Sequence, residues 1–245
     1  VQSALQTTFR DARDTLVPDP AGPHGPLPRL LLGLTVVTGL VDAFSYLALG
    51  HVFVANMTGN VVFLAFSLAG SSGFSLLASA LSLLSFVAGA AAGGLLAHRV
   101  TSHRARLLLT ATAIQASLVL AAWLLALLVD RPAGAARWTL ILLLGLAMGL
   151  QNAVVRRLAV PDLNTNVLTS TITGIAADAR LTGGASSKAG RRLLPVLTMF
   201  LGGFAGAALI GHGHSVLPLL IAAAALAVVA AALLPHRRSA LAWTG

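Results

Sequence analysis

Asp42 is the residue of this chain best placed to do chemistry. It stands inside an apolar run that begins after Arg29 and continues from Leu30 to about Leu49. A carboxylate there is costly, and such groups face a bundle interior or a polar path. One reading makes Asp42 a protonatable or cation-coupling group. The plainer one makes it a structural acid, hydrogen-bonded to the Asn56-Met57-Thr58 segment. Asn56, Thr58 and Asn60 follow closely. A second polar cluster, Asn164, Thr165, Asn166, Thr169, Ser170, Thr171 and Thr173, lies in the other half of the chain. Amides and irregular backbone at membrane depth survive only when buried or lining a cavity. There they offer neutral donors and acceptors suited to a small polar solute or a dehydrated ion. Helix-to-helix hydrogen bonding is the modest alternative.

Other polar residues carry weaker signals. Arg156 and Arg157 close an apolar run, where a guanidinium pair could attract an anion but more often anchors a helix end in the cytoplasm. Asp162 follows Pro161, and Asp178 is read as a structural partner of Arg180 or a nearby arginine. His212 and His214 have no third metal ligand nearby and read as a loop. The chain has no HExxH, GxSxG or Walker A pattern, and no GxGxxG in a strand–helix context, so nothing supports an enzyme. No cofactor or metal is implied.

The elements that must position these residues follow from composition. Of 245 residues 57% are hydrophobic and 9% charged, against about 25% charged in a soluble domain. So little charge cannot cover a globular surface in water, which leaves a polytopic membrane protein whose main partner is the lipid bilayer. The absence of cysteine removes disulfides and thiolate chemistry. A net charge of +9 would suggest nucleic acid in a soluble chain; here it reads as loop arginines that set orientation. No basic stretch is interleaved with stacking aromatics, so nucleic acid is not expected.

Residues 1–29 form a proline-rich lead-in expected to be flexible, and 235–245 a short basic tail. Between them lie six runs long enough to cross roughly 30 Å of hydrocarbon as helices, and two shorter polar segments around Asn56 and Asn166. The halves, 30–129 and 138–234, look related. Gly39-Leu40-Val41-Asp42-Ala43 matches Gly149-Leu150-Gln151-Asn152-Ala153 at 110 positions' distance, and Asn56 falls on Asn166 at the same distance. Phe86-Val87-Ala88-Gly89 resembles Phe200-Leu201-Gly202-Gly203 at 114. Asn152 keeps the shape of Asp42 without its charge, so any titration belongs to one half. Gly89/Gly93, Gly145/Gly149 and Gly202/Gly206 have the spacing that lets membrane helices approach closely.

The expected fold is therefore all-α: six transmembrane helices plus two short re-entrant or half-length helices, in two pseudo-symmetric repeats. Eight spans result if the short segments cross. The six-span form gathers the basic residues more completely on one side and makes the repeats inverted; eight spans would make them parallel. Both put the N- and C-termini in the cytoplasm.

The stretches GLVDAFSYLALGHVFVANMTGN (39–60) and GLQNAVVRRLAVPDLNTNVLTSTITGIAADA (149–179) resemble the YoaK-like family of bacterial membrane proteins, a domain of unknown function. The resemblance covers most of the chain after residue 30. It implies an inner-membrane protein of about six spans and no particular activity, substrate or cofactor. Its recurring motifs fall here on Asp42, Asn56, Thr58, Gly59, Asn60, Gln151, Asn152, Arg157, Pro161, Asp162, Thr169 and Gly174. The function expected is a secondary transporter or channel-like permease for a small polar solute or ion. Its site would lie where the repeats meet near the bilayer midplane, built from Asp42, Asn56, Thr58, Asn60, Asn152, Asn166, Thr169 and Arg157. The alternative is a non-transporting membrane subunit that binds a lipid, a cofactor or another membrane protein. Assembly into a homo-oligomer is left open.

Overall fold

The computed structural model describes residues 2–20, 22–100, 103–129, 132–163, 168–177, 188–239, 241, 243 and 244. Among them are nine α-helices and no strand: α1 (Gln2–Leu16), α2 (Leu27–Ala48), α3 (Met57–Leu68), α4 (Leu76–Arg99), α5 (Arg104–Leu127), α6 (Gly134–Leu158), α7 (Leu168–Ala177), α8 (Ala189–Gly211) and α9 (Leu217–Leu233). Six of these, α2, α4, α5, α6, α8 and α9 together with the 3-10 turn Leu234–Arg238 that continues it, are long and apolar enough to cross a membrane. At about 1.5 Å per residue, α2 extends roughly 33 Å. The 12 residues of α3 reach only about 18 Å, well short of a crossing.

Local chemistry sets several of the ends. Pro28 lies in the first turn of α2, where its missing N–H would have had no partner. The far end of α2 is closed from another helix. Arg137 Nε donates to the Leu49 carbonyl at 2.7 Å, and the chain then turns at Gly50 with φ 82°, a conformation that glycine adopts freely. Ser75 caps α4 by accepting from the Ala78 N–H at 3.2 Å. The lead-in is partly helical. Its first half is α1, whose Thr8 and Ala12 backbone lies directly against Gly190 of α8; Pro18, Pro20, Pro23 and Pro26 fall between α1 and α2.

Helix directions follow from which residues meet. Gln151 of α6 reaches Thr38 of α2, while Arg137 near the start of α6 reaches the end of α2, so α2 and α6 are antiparallel. Gly89 and Gly93 of α4 lie on Leu146 and Leu150 of α6, so α4 runs parallel to α6. Gly202 and Gly206 of α8 lie on Val36 and Leu40 of α2, so α8 runs parallel to α2. Arg104 and Gln115 of α5 meet Leu158 and Gln151 of α6 in reverse order. Because α2 and α4 run oppositely, the chain enters and leaves α3 at the same end of the bundle. The same holds for the segment between α6 and α8. Six long helices with two short segments between them is the arrangement observed; an eight-span chain would have needed α2 and α4 to be parallel.

The two most enclosed helices, α2 and α6, form the centre. α8 and α9 pack on α2, and α4 and α5 pack on α6. Outward faces carry Leu84, Val87, Phe200, Phe204 and Val228, all more than half exposed. That much apolar surface suits lipid and not water.

Candidate functional site

The loop between α2 and α3 folds back over Asp42. Asp42 Oδ1 accepts hydrogen bonds from the backbone N–H groups of Val54 (3.0 Å) and Ala55 (2.9 Å). The residue is 4% exposed, and its second oxygen, Oδ2, has no hydrogen-bond partner. One oxygen therefore ties the loop down while the other is unspent. Asp42 lines a cavity of about 420 Å³ between α2 and α8, together with Tyr46, Phe53, Asn56, Met199 and Ala207. Gly39 and Gly203 also border it. Their lack of side chains brings the two backbones together, a Cβ on Gly39 falling 2.5 Å from the Met199 carbonyl oxygen.

The loop is held by Asn60, which lies fully buried in the first turn of α3. Its Oδ1 accepts from the Phe53 N–H at 3.0 Å and its Nδ2 donates to the Phe53 carbonyl at 2.6 Å. Ser82 of α4 donates to the same carbonyl at 2.6 Å and accepts from Asn60 Nδ2 at 3.1 Å. Phe53 stacks on Tyr46 with ring centroids 4.9 Å apart, and Phe63, Phe66, Phe74 and His51 extend the aromatic cluster. Rings gathered at one end of the spans are what a membrane–water boundary favours.

The residues singled out from the sequence are thus partly brought together. Asp42 and Asn56 share the cavity. Asn60 stands behind it with its polar groups committed to Phe53 and Ser82. Thr58 is exposed in the first turn of α3, and Thr169 is exposed on α7. Asn152 spends its Nδ2 on the Met148 carbonyl of its own helix at 2.9 Å. Asn166, Asn164, Thr165, Asp178 and Arg180 lie outside the described residues. Arg157 lies at the opposite end of the bundle, where with Arg156, His98, Gly94 and Ala153 it lines a second cavity of about 580 Å³. Asp162 pairs with Arg192 at 2.9 Å.

Other groups had not been singled out. Tyr46 and Phe53 form a wall of the first cavity; the available signal was that the chain's single tyrosine stands four residues after Asp42, on the same face of a helix. A buried polar chain also crosses the bundle centre. Gln115 of α5 donates to Gln151 Oε1 at 2.6 Å, Gln151 donates to Thr38 Oγ1 at 2.9 Å, and Thr38 donates to the Leu34 carbonyl at 3.0 Å. Gln115 is the lone amide within an apolar run, which was its only mark in the sequence.

Residues 30–232, which hold both cavities and nearly all of the six long helices, match the family described as "Protein of unknown function (DUF1275)". The chain belongs to this family. A relative in Bacillus subtilis (strain 168), "UPF0700 transmembrane protein YoaK", is 32% identical over 152 residues, covering 61% of this chain and 65% of that protein. The chain thus spans a little under two thirds of that relative's length. No solved structure matches it. A transmembrane relative and six spanning helices make this DUF1275 chain a multi-pass membrane protein.

Proposed function

We propose that the protein is a small secondary transporter or channel-like permease of the bacterial cytoplasmic membrane, with Asp42 as its coupling or gating group. The observation that carries this reading is that Asp42, whose buried Oδ2 has no hydrogen-bond partner, lines a cavity. A buried carboxylate oxygen without a donor is costly unless something arrives to meet it. In this reading Asp42 and Asn56 contact the solute, and Asn60 positions the loop above them.

The cavity's place supports it. It lies between α2 of one half and α8 of the other, a junction of the halves such as repeat transporters use for their substrates, with its Tyr46 and Phe53 wall nearer one end of the spans than the expected midplane. A relation between the halves is supported by their contacts. Gly89 and Gly93 meet Leu146 and Leu150, and Gly202 and Gly206 meet Val36 and Leu40. Moving α2 onto α6 by 110 positions, and α4 onto α8 by 113, turns the second set into the first. The distance for α4 and α8 is one less than the 114 of the sequence match. The oppositely directed helices make such halves inverted. Orientation rests on charge: every described Lys and Arg except Arg137 lies at the end bearing both termini, which the positive-inside tendency places in the cytoplasm.

The test is uptake by proteoliposomes holding the purified chain, with a panel of labelled cations, anions and neutral polar solutes. Saturable uptake that Asp42→Asn abolishes and Asp42→Glu retains is expected. Uptake no greater than in empty vesicles across the panel would overturn the reading.

A further inference from the structure

The cavity beside Asp42 has a composition that selects among solutes. It holds one carboxylate with a free oxygen, and no Lys or Arg stands among its lining residues. Tyr46 sits one helical turn beyond Asp42, its ring stacked on Phe53 at 4.9 Å. Met199 faces them from α8, where Gly203 and Ala207 leave room. Asn56 adds one amide.

Each class of solute meets this arrangement differently. An anion would oppose an uncompensated carboxylate. A neutral polar solute would leave that carboxylate without a countercharge in an apolar surrounding. A dehydrated metal cation needs about six oxygens or more, and Asp42, Asn56 and the Tyr46 hydroxyl offer too few. An organic cation needs one anionic contact and aromatic faces for its diffuse charge, and its carbon atoms suit the remaining wall.

We propose that this cavity binds a monovalent organic cation of the alkylammonium class, with its charge toward the Asp42 carboxylate and its alkyl groups against Tyr46 and Phe53. The assignment rests on the transport reading for its biological purpose, but the binding site stands or falls by itself. A volume of about 420 Å³ lies at the low end of the roughly 300–1,000 Å³ typical of small-molecule pockets. It accommodates a choline-sized ion with space to spare.

The experiment is equilibrium binding of radiolabelled choline to the full chain in lipid nanodiscs. The competitors are tetraethylammonium, benzoate and 3,3-dimethylbutan-1-ol, a neutral isostere of choline. Binding is expected to saturate, to yield to tetraethylammonium and to resist the other two. Asp42→Asn keeps an Oδ1 acceptor for Val54 and Ala55 and is expected to weaken choline about tenfold or more, the effect of losing one charge-assisted contact. Ala207→Phe, which fills the cavity from α8 without touching the Asp42 hydrogen bonds, is expected to do the same. Absence of saturable binding, equal competition by the neutral isostere, or binding indifferent to both variants would overturn the proposal. Binding without uptake would remove the transport reading and leave the cation site. Uptake of an anion or neutral solute that Ala207→Phe blocks, without choline binding, would do the reverse.

Discussion

Asn60 holds Phe53 by both of its backbone polar groups, accepting from the N–H at 3.0 Å and donating to the carbonyl at 2.6 Å. A side-chain amide here replaces the neighbouring strand that an extended segment would otherwise need. It keeps the next two N–H groups, those of Val54 and Ala55, aimed at Asp42. The loop, the aromatic wall and the carboxylate are one mechanical unit.

Asn60→Ala leaves both Phe53 backbone groups without their Asn60 partner, and Ser82 still serves only the carbonyl. The orphaned N–H costs about 1–3 kcal/mol. A clear loss of thermal stability in detergent is expected, with Asn60→Asp intermediate because it retains the acceptor. If Asn60→Ala melted like the parent protein, the clamp would have no energetic weight.

Close helix contact predicts a contrast among glycines. A Cβ at Gly39 meets the Met199 carbonyl oxygen at 2.5 Å and the Gly203 nitrogen at 2.6 Å, and one at Gly149 runs into the Phe86 carbonyl. These are backbone atoms and cannot swing aside. Gly39→Ala and Gly149→Ala are each expected to destabilise by roughly 1–3 kcal/mol. Gly94→Ala, with nothing within 4 Å, is expected to be neutral or slightly stabilising. Chemical unfolding of the three variants checks the order.

Topology can be read by labelling, since the chain has no native cysteine. Ser72 lies exposed between α3 and α4, and Leu241 lies 45% exposed at the opposite end. In intact cells a membrane-impermeant maleimide is expected to modify Ser72→Cys and to reach Leu241→Cys only after the membrane is opened. Equal labelling of both from outside would contradict the assigned orientation.

His24 makes stability depend on pH. It lies half-buried before α2, where Arg104 Nη2 faces its Nδ1 at 3.5 Å. Burial, followed by the charges of Arg104 and Arg191, lowers its pKa below the usual 6.5. Near neutral pH the ring is uncharged whether the chain is folded or not, so nothing is lost. As pH falls through 6.5 the unfolded chain takes up the proton first, and stability declines until the folded ring also protonates. Between pH 7.5 and 5 the parent protein is expected to lose more stability than His24→Gln. Identical losses would assign the effect to other groups.

Much of this was legible in the chain. Apolar runs of spanning length mark the six long helices, because lipid demands continuous apolar faces and internally satisfied backbone. Asp42 stood out because a carboxylate within such a run is rare, and Asn56 because it follows so soon. The paired glycines announced close contact without naming the partner helix. Thr58, Thr169 and Arg157 shared polarity with the site but not position, since spacing along a chain does not say which helix face turns toward which cavity. Half of the proline-rich lead-in is helix. Its composition is polar enough for solvent, and the helix lies against Gly190 of α8.

The sequence by itself determined the class of solvent, the number of long helices and the one acid buried among them, because hydrophobicity and length are properties of each segment alone. Tertiary structure decided the rest. It showed that α3 returns to the end from which it came, since the directions of α2 and α4 depend on their contacts with other helices. It divided the two oxygens of Asp42, committing one to Val54 and Ala55 and leaving the other without a partner beside a cavity that Met199 of α8 helps to line. That cavity is lined in part by a helix from the other half of the chain, more than 150 residues away, and no local pattern carries it.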